Sequence, residues 1–434
     1  MQLAQHRDNL RLMLLRLAFL CYLVSIVLLA WMKSPQVVAG YDVFPTDLVF
    51  LATGCLWLVA LGTGQVRLRL HPSFWLLGIY FAALALSAIQ SDDPKQSAFK
   101  LITQVYLLAL PVLTYNLVRT TDDLRQVFTW WIAAAAALAT VGVATLLLFP
   151  VLGPDPLVWA LHRFGTLPPG PYPRLELTFI YPALLANYLG TALMLTLICG
   201  RMGWLKRGTA VAAGAAMAAT ALFALTPGFG GILFMLALWF WYLNREQKPR
   251  LAATALAAGL AMPVLTILVS SFSLILHPGA QFLIHIPLLD EPVAPGIRLL
   301  LWIQAVQSFL ASPIIGHGIG TTWLTVAYAA GDCAVGCTLD AHNSLLNVAI
   351  QTGAIGLIAL LAIIGFVARH LWVARPQSRR NEIVYGLALA WVSGFVVHGL
   401  VGAFEDSRHL WILLGLLLSA DSLPGAGRPE GNER

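Results

Sequence analysis

Apolar residues run along this chain in long blocks, each close to the roughly 20 residues a helix needs to cross a bilayer core about 30 Å thick. The blocks occupy residues 12–31, 48–64, 73–90, 101–118, 127–149, 182–200, 208–225, 231–243, 251–270, 344–368, 383–404 and 410–423, the eighth and last being short. Ala and Leu dominate them without period-two alternation, which argues against a barrel. Backbone groups cannot stay unpaired in hydrocarbon, so the blocks should be helices. The predicted fold is all-α: a polytopic membrane protein of about twelve spans, with residues 1–434 forming one transmembrane domain.

Composition strengthens this picture. Hydrophobic residues make up 59% of the chain and charged residues 11%, against roughly a quarter charged in soluble domains, and mean hydropathy is +0.78. Cytoplasmic loops keep an excess of Lys and Arg. With residue 1 inside, all of the 26 Lys and Arg fall in inner segments except Lys33, Lys95, Lys100, Arg163, Arg174, Arg298 and Arg408. The net charge of +6 then reflects topology and not nucleic-acid binding. Both termini are expected in the cytoplasm. The first span exceeds a signal-peptide core and no small-x-small cleavage site follows it, so it reads as a retained helix.

Two longer connections, 150–181 and 271–343, fall on the outer side. The first is rich in proline, including Pro150, Pro154, Pro156, Pro168, Pro169, Pro171 and Pro173, which bars a long helix and predicts a rigid, extended cap. Within it, Leu157, Trp159, Leu161 and Phe164 predict a short interfacial helix. In the second, Phe272 to Ile286 is apolar but broken by His277, Pro278 and His285, which suits a segment lying on the outer leaflet. Cys333 and Cys337 flank three residues in this connection, so an oxidising compartment would let them form a disulfide; free thiols are the alternative, and a zinc site lacks a second ligand pair. Cys21, Cys55 and Cys199 lie within spans as small buried hydrophobes.

From Pro295 the pattern becomes helical: Trp302, Ala305, Val306, Phe309 and Leu310 recur at helical spacing until Ser312-Pro313. Arg298 falls in the first turn, where the helix dipole disfavours a cation but an anion between the guanidinium and the free amides would be favoured by both. A surface salt bridge with Asp290 or Glu291 is the competing reading. Gly316-His317-Gly318-Ile319-Gly320 has no preceding strand and is a tight turn, not a nucleotide fingerprint. His342 is expected to begin the next long helix, with Asp340 or Thr338 as its cap. The positive helix end favours a neutral imidazole there, while Asp340 opposes it. A neutral imidazole can act as a base; a structural histidine at a helix start is the plainer alternative.

His342-Asn343, nine residues, then Gly353-Ala354-Ile355-Gly356 resembles the motif of the bacterial O-antigen ligase family, within the group that includes O-antigen polymerases. Similar to that family as well are Arg174-Leu175-Glu176-Leu177-Thr178-Phe179 leading to Asn187-Tyr188-Leu189, and Gly296-Ile297-Arg298 with Trp302, then Pro313 and Gly316-His317-Gly318. Where many relatives carry Ser-Arg-Gly after the seventh span, this chain has Thr226-Pro227-Gly228, so no role of that arginine carries over.

The resemblance implies transfer of a glycan from an undecaprenyl diphosphate carrier to a lipid A core sugar, on the periplasmic face of the bacterial inner membrane, with no cofactor, metal or nucleotide sugar. His342 would be the base and the outcome inversion. Arg174 and Arg298 would stabilise the diphosphate, with Arg163, Lys100 and Arg408 as second choices. Asn343, Gly353 and Gly356 would be structural members of the motif. A metal enzyme is a weaker reading, because Asp92-Asp93, Asp290-Glu291 and Glu405-Asp406 are adjacent pairs lacking a third ligand. A polymerase or a protein oligosaccharyltransferase is the alternative within the same group. A lipid-linked glycan transporter is the alternative of another class, disfavoured because few ionisable groups, His398 chief among them, lie within spans.

Overall fold

The computed structural model describes residues 2–33, 36–38, 41–162, 173–276, 284–285, 292–293, 298–320, 324–326, 337–374 and 378–423. Among these, thirteen α-helices follow one another: α1 (Gln2–Leu28), α2 (Pro45–Gly62), α3 (Phe74–Ile89), α4 (Pro94–Leu117), α5 (Thr121–Leu152), α6 (Pro182–Met202), α7 (Arg207–Leu222), α8 (Phe229–Asn244), α9 (Pro249–Leu276), α10 (Arg298–Ala311), α11 (Ser344–Val373), α12 (Arg379–Trp391) and α13 (Arg408–Ser422). Three antiparallel ribbons of very short strands lie in the connections: β1 (Gln36–Val38) with β2 (Tyr41–Val43), β3 (Ile284–His285) with β4 (Pro292–Val293), and β5 (Leu324–Val326) with β6 (Cys337–Leu339). Seven helices are long and apolar enough to cross a membrane, and four shorter apolar helices accompany them. The chain is an all-α polytopic membrane protein.

Helices α4 and α5 start several residues ahead of their apolar blocks because polar caps precede the hydrophobic run. Asp93 accepts from the Gln96 amide at 3.0 Å ahead of α4, and Thr120 and Asp123 form a reciprocal capping box ahead of α5, satisfying amides that a first helical turn leaves open. Pro182 opens α6, where its missing N–H costs nothing, and Gly203 closes it in the left-handed conformation.

Burial separates a centre from a rim. The apolar windows of Pro182–Met202 and Arg379–Leu400 are 78% and 89% buried, whereas that of Pro249–Leu268 is 17% buried; α6 and α12 are the core and α9 faces outward. The central pair carries the polar groups that hydrocarbon would not accept. Asn187 of α6 donates to the Gly394 carbonyl at 2.9 Å and faces His409 Nε2 at 2.9 Å. Ser393 donates to the Gly231 carbonyl at 2.5 Å. With Asn187 engaging the Gly394 carbonyl, the continuation of α12 widens to a π-helical turn over Val392–Val397 and then tightens to a 3₁₀ turn over His398–Leu400.

Two local expectations are corrected. Residues 157–162 form no interfacial helix: a 3₁₀ turn at Asp155–Leu157 leads to Leu161, which bridges Leu175 in extended conformation, because the strip is captured by residues 174–177. Phe272 to Leu276 does not lie apart on the leaflet but continues α9, there being no breaker before His277. In α10 the buried positions are Leu301 and Ala305, while Ile303, Val306 and Leu310 are exposed; the apolar stripe faces outward, as a helix against lipid allows. Phe164, Arg163 and Cys333 lie outside the described residues, as does the Cys337 side chain, so the predicted disulfide falls there too.

Candidate active site

The cationic and titratable residues singled out from the sequence collect at one end of the bundle, where α4, α6, α10, α11 and α13 begin and α5 and α12 end. Arg174 is placed by a folded-back strip. The His162 amide donates to the Arg174 carbonyl at 2.8 Å, the Glu176 and Leu177 amides both donate to the Ala160 carbonyl at 3.0 Å, and the Leu175 amide donates to the Phe223 carbonyl at 2.9 Å. Arg174 Nε donates to the Ala224 carbonyl at 3.3 Å, using an acceptor that the end of α7 leaves open. Glu176 locks the strip: its carboxylate takes Lys33 at 2.5 Å and His162 Nδ1 at 2.5 Å. Burial raises the Glu176 carboxyl, but these hydrogen bonds and charges outweigh burial and hold it below its ordinary range.

Arg298 is the first residue of α10 and donates through Nε to the Val401 carbonyl at 3.1 Å. It sits deep in the protein yet keeps part of its surface accessible. Burial, and then the positive charge of Arg174, lower its pKa to about 10, with Asp340 pulling the other way. Two guanidinium groups close enough to oppose each other are more comfortable with an anion between them. The competing partners Asp290 and Glu291 lie outside the described residues.

His342 does not begin α11. Asn343 is the cap, accepting from the Leu345 and Leu346 amides at 3.0 and 3.1 Å, and helix geometry starts only at Ser344. Asp340 and Thr338 are therefore not caps, since Asn343, nearer the first turn, takes the open amides. Asp340 instead accepts from the His342 amide at 2.7 Å and forms a short hydrogen bond with His342 Nδ1. In a neutral ring that donates through Nδ1 to Asp340, Nε2 carries the lone pair, the arrangement a general base requires. The His342 backbone lies at φ +45°, a left-handed conformation that side chains with a Cβ rarely adopt. Burial pushes the Asp340 carboxyl up, but the hydrogen bonds and charge of His342, with Lys100 adding, hold it below the usual carboxylate range.

The segment 400–408 ties the pieces together, a role that the sequence did not reveal although Glu405, Asp406 and Arg408 were singled out in it. The Leu400 carbonyl accepts from Asn343 Nδ2 at 3.2 Å, the Gly402 carbonyl from Ser344 Oγ at 3.2 Å, and Ser344 Oγ itself accepts from the Phe404 amide at 2.9 Å. Asn347 Nδ2 donates to Glu405 Oε1. Burial, then Asp406, pushes the Glu405 carboxyl up to about 8. Asp406 pairs with Lys100 and accepts from Gln104 Nε2 at 2.7 Å. Arg408 forks onto Asp47, with Nη2 to Oδ2 at 2.7 Å, while Tyr106 donates to the same carboxylate at 2.9 Å. Lys100 thus reaches the site with Asp406 as its counter-ion, and Arg408 is held in a bidentate structural pair. Backbone carbonyls carry no sequence signature, so no motif announced this hub.

The glycines have steric roles. Gly353 (φ +62°) breaks α11, and a Cβ there would meet the Ile314 carbonyl group at 2.3 Å. Into this break the 313–320 turn docks: the Ala354 amide donates to the Pro313 carbonyl at 2.8 Å, and the His317 and Gly318 amides donate to the Ile350 and Gln351 carbonyls at 3.0 and 3.1 Å. Gly356 makes room for Thr352, whose Oγ1 would be 1.9 Å from an added Cβ. Gly228, next to Thr226-Pro227, lies against the His398 ring.

The bundle thus presents at one end a histidine buttressed by an aspartate, with two arginines close enough for the charge of one to act on the other. Residues 209–361 match the family model described as O-antigen ligase. The match includes Arg298, His342, Asn343, Gly353 and Gly356; Arg174 and Lys100 precede it. No curated protein matches the chain.

Proposed function

We propose that this protein is an O-antigen ligase, transferring a glycan from undecaprenyl diphosphate to a lipid A core sugar on the periplasmic side of the inner membrane. The observation that carries the reading is the pairing of His342 with Asp340 beside Arg298, whose pKa feels both Asp340 and Arg174. In this reading His342 Nε2 takes the proton of the acceptor hydroxyl as its oxygen bonds to the anomeric carbon. The anomeric carbon to phosphate-oxygen bond breaks on the opposite face, and its electron pair leaves with the carrier diphosphate, giving inversion.

Arg174 and Arg298 receive that charge, a role suited to guanidinium forks. Lys100 stands behind them, partly neutralised by Asp406. Arg408, committed to Asp47, is better suited to holding α13 than to holding phosphate, and Arg163 keeps the second-choice place it had. Asp340 positions the imidazole without touching substrate. The reaction as drawn uses no cofactor.

The likeness to a family grouped with O-antigen polymerases makes chain extension the second reading. Mass spectrometry of lipopolysaccharide from a deletion strain separates the two: core lacking all attached polymer is the expected result, and core bearing a single repeat unit would assign the protein as a polymerase instead.

A further inference from the structure

At the opposite end of the bundle from this site, a cavity of about 120 Å³ opens between the starts of α5 and α12 and the ends of α6 and α13. Its walls include Leu124, Met202, Trp204 and Ile383, and Arg379 and Arg380 stand beside them. We propose that this cavity binds the headgroup of an anionic phospholipid, the phosphate meeting the two arginines and the first acyl carbons lying against the apolar wall.

Three independent features support that occupant over a free anion. Arg379 is exposed, and among the described residues no carboxylate pairs with it, whereas Arg380 shares Asp421 at 3.3 Å with His370. Arg379 therefore stays available to a phosphate. The first turns of α5 and α12 both reach the cavity, but Thr120 and Ser378 cap them and Asp122, Asp123 and Glu382 stand in them, so the anion must be held by the arginines and not by the helix ends. The remaining wall is apolar and holds Trp204, which packs on Phe128 with ring centroids 6.0 Å apart; a small hydrated anion gains nothing from it. Trp372, exposed at the end of α11 on the same side, is the kind of residue that sits at headgroup level. Basic recesses between helices at a membrane surface are suited to phospholipid headgroups.

The test is native mass spectrometry of the full-length protein in detergent, titrated with phosphatidylglycerol or phosphatidylcholine. The expected result is a retained phosphatidylglycerol whose affinity falls roughly tenfold to thirtyfold in Arg379→Ala/Arg380→Ala, on the order of what two surface cations contribute. Thr121→Trp, at an exposed lining position, should block binding with both arginines intact, which guards against a misfolded double variant. Equal retention of phosphatidylcholine, or unchanged phosphatidylglycerol binding in both variants, would overturn the proposal. Displacement of the lipid by inorganic phosphate at similar concentration would overturn it as well, by assigning the site to a free anion.

Discussion

At His342 a left-handed backbone, a carboxylate two residues earlier and a capping asparagine immediately after combine to hold one imidazole nitrogen and free the other. The sequence announced the histidine through its motif but not its buttress, since an Asp two residues away reads equally well as a cap or a neighbouring charge. Asp340→Asn should therefore slow transfer by roughly 10²- to 10⁴-fold while leaving donor binding unchanged, because an amide no longer fixes the tautomer. A steady-state comparison of kcat and KM checks it, and a rise in KM with kcat unchanged would count against the positioning role. Arg298→Lys should cost about one to two powers of ten, since a point charge loses the planar fork; full activity would mean that Arg298 serves only the Val401 carbonyl.

Two carboxylates at this scale make opposite pH predictions. Glu405 has a folded-state pKa raised to about 8, so its neutral form favours the fold and its contribution is lost as pH rises from its unfolded value of about 4.3 toward 8. Glu405→Gln should flatten that decline when thermal stability in detergent is followed between pH 5 and 9. Glu176, held below its ordinary range, contributes above the unfolded value and loses that contribution as pH falls through its folded pKa. Glu176→Gln should cost about 1–3 kcal/mol at neutral pH, from a buried group whose charged partners are left unmatched, and should expose the 160–177 strip to protease.

Among the elements, α11 shows most clearly what periodicity can and cannot reveal. Its apolar block marked the span, but the break at Gly353 lies inside that block, just after Gln351 and Thr352, and the docking of residues 313–320 explains it. Gly353→Ala must place a Cβ 2.3 Å from the Ile314 carbonyl group at a positive φ, and a loss of about 2 kcal/mol or more is expected. Gly365, in the same helix with nothing within 4 Å of an added Cβ, is the control: Gly365→Ala should be neutral or slightly stabilising. Melting curves of the two variants in one detergent check the contrast. In α10 the apolar spacing marks the helix but not its buried face, since an apolar stripe marks a boundary with something apolar and does not say whether that is protein or lipid.

For the molecule as a whole, the twelve apolar blocks each correspond to a helix because hydrocarbon leaves the backbone few alternatives. The convergence of the site was less legible. Lys100, Arg174, Arg298 and His342 are scattered along the sequence, and what joins them is the turn between α12 and α13, whose carbonyls hold Arg298 and Asn343. The site is thus a property of the packing of α12 at the centre, where Asn187 fixes Gly394 and so sets where that turn emerges.

Reconstitution of purified protein with undecaprenyl diphosphate-linked glycan and lipid A core measures the central claim directly. The wild-type protein is predicted to form the glycan-linked product without any ion gradient, and His342→Ala to bind the carrier normally while forming product about 10²- to 10⁴-fold more slowly. Product formation by His342→Ala at the wild-type rate would contradict the account.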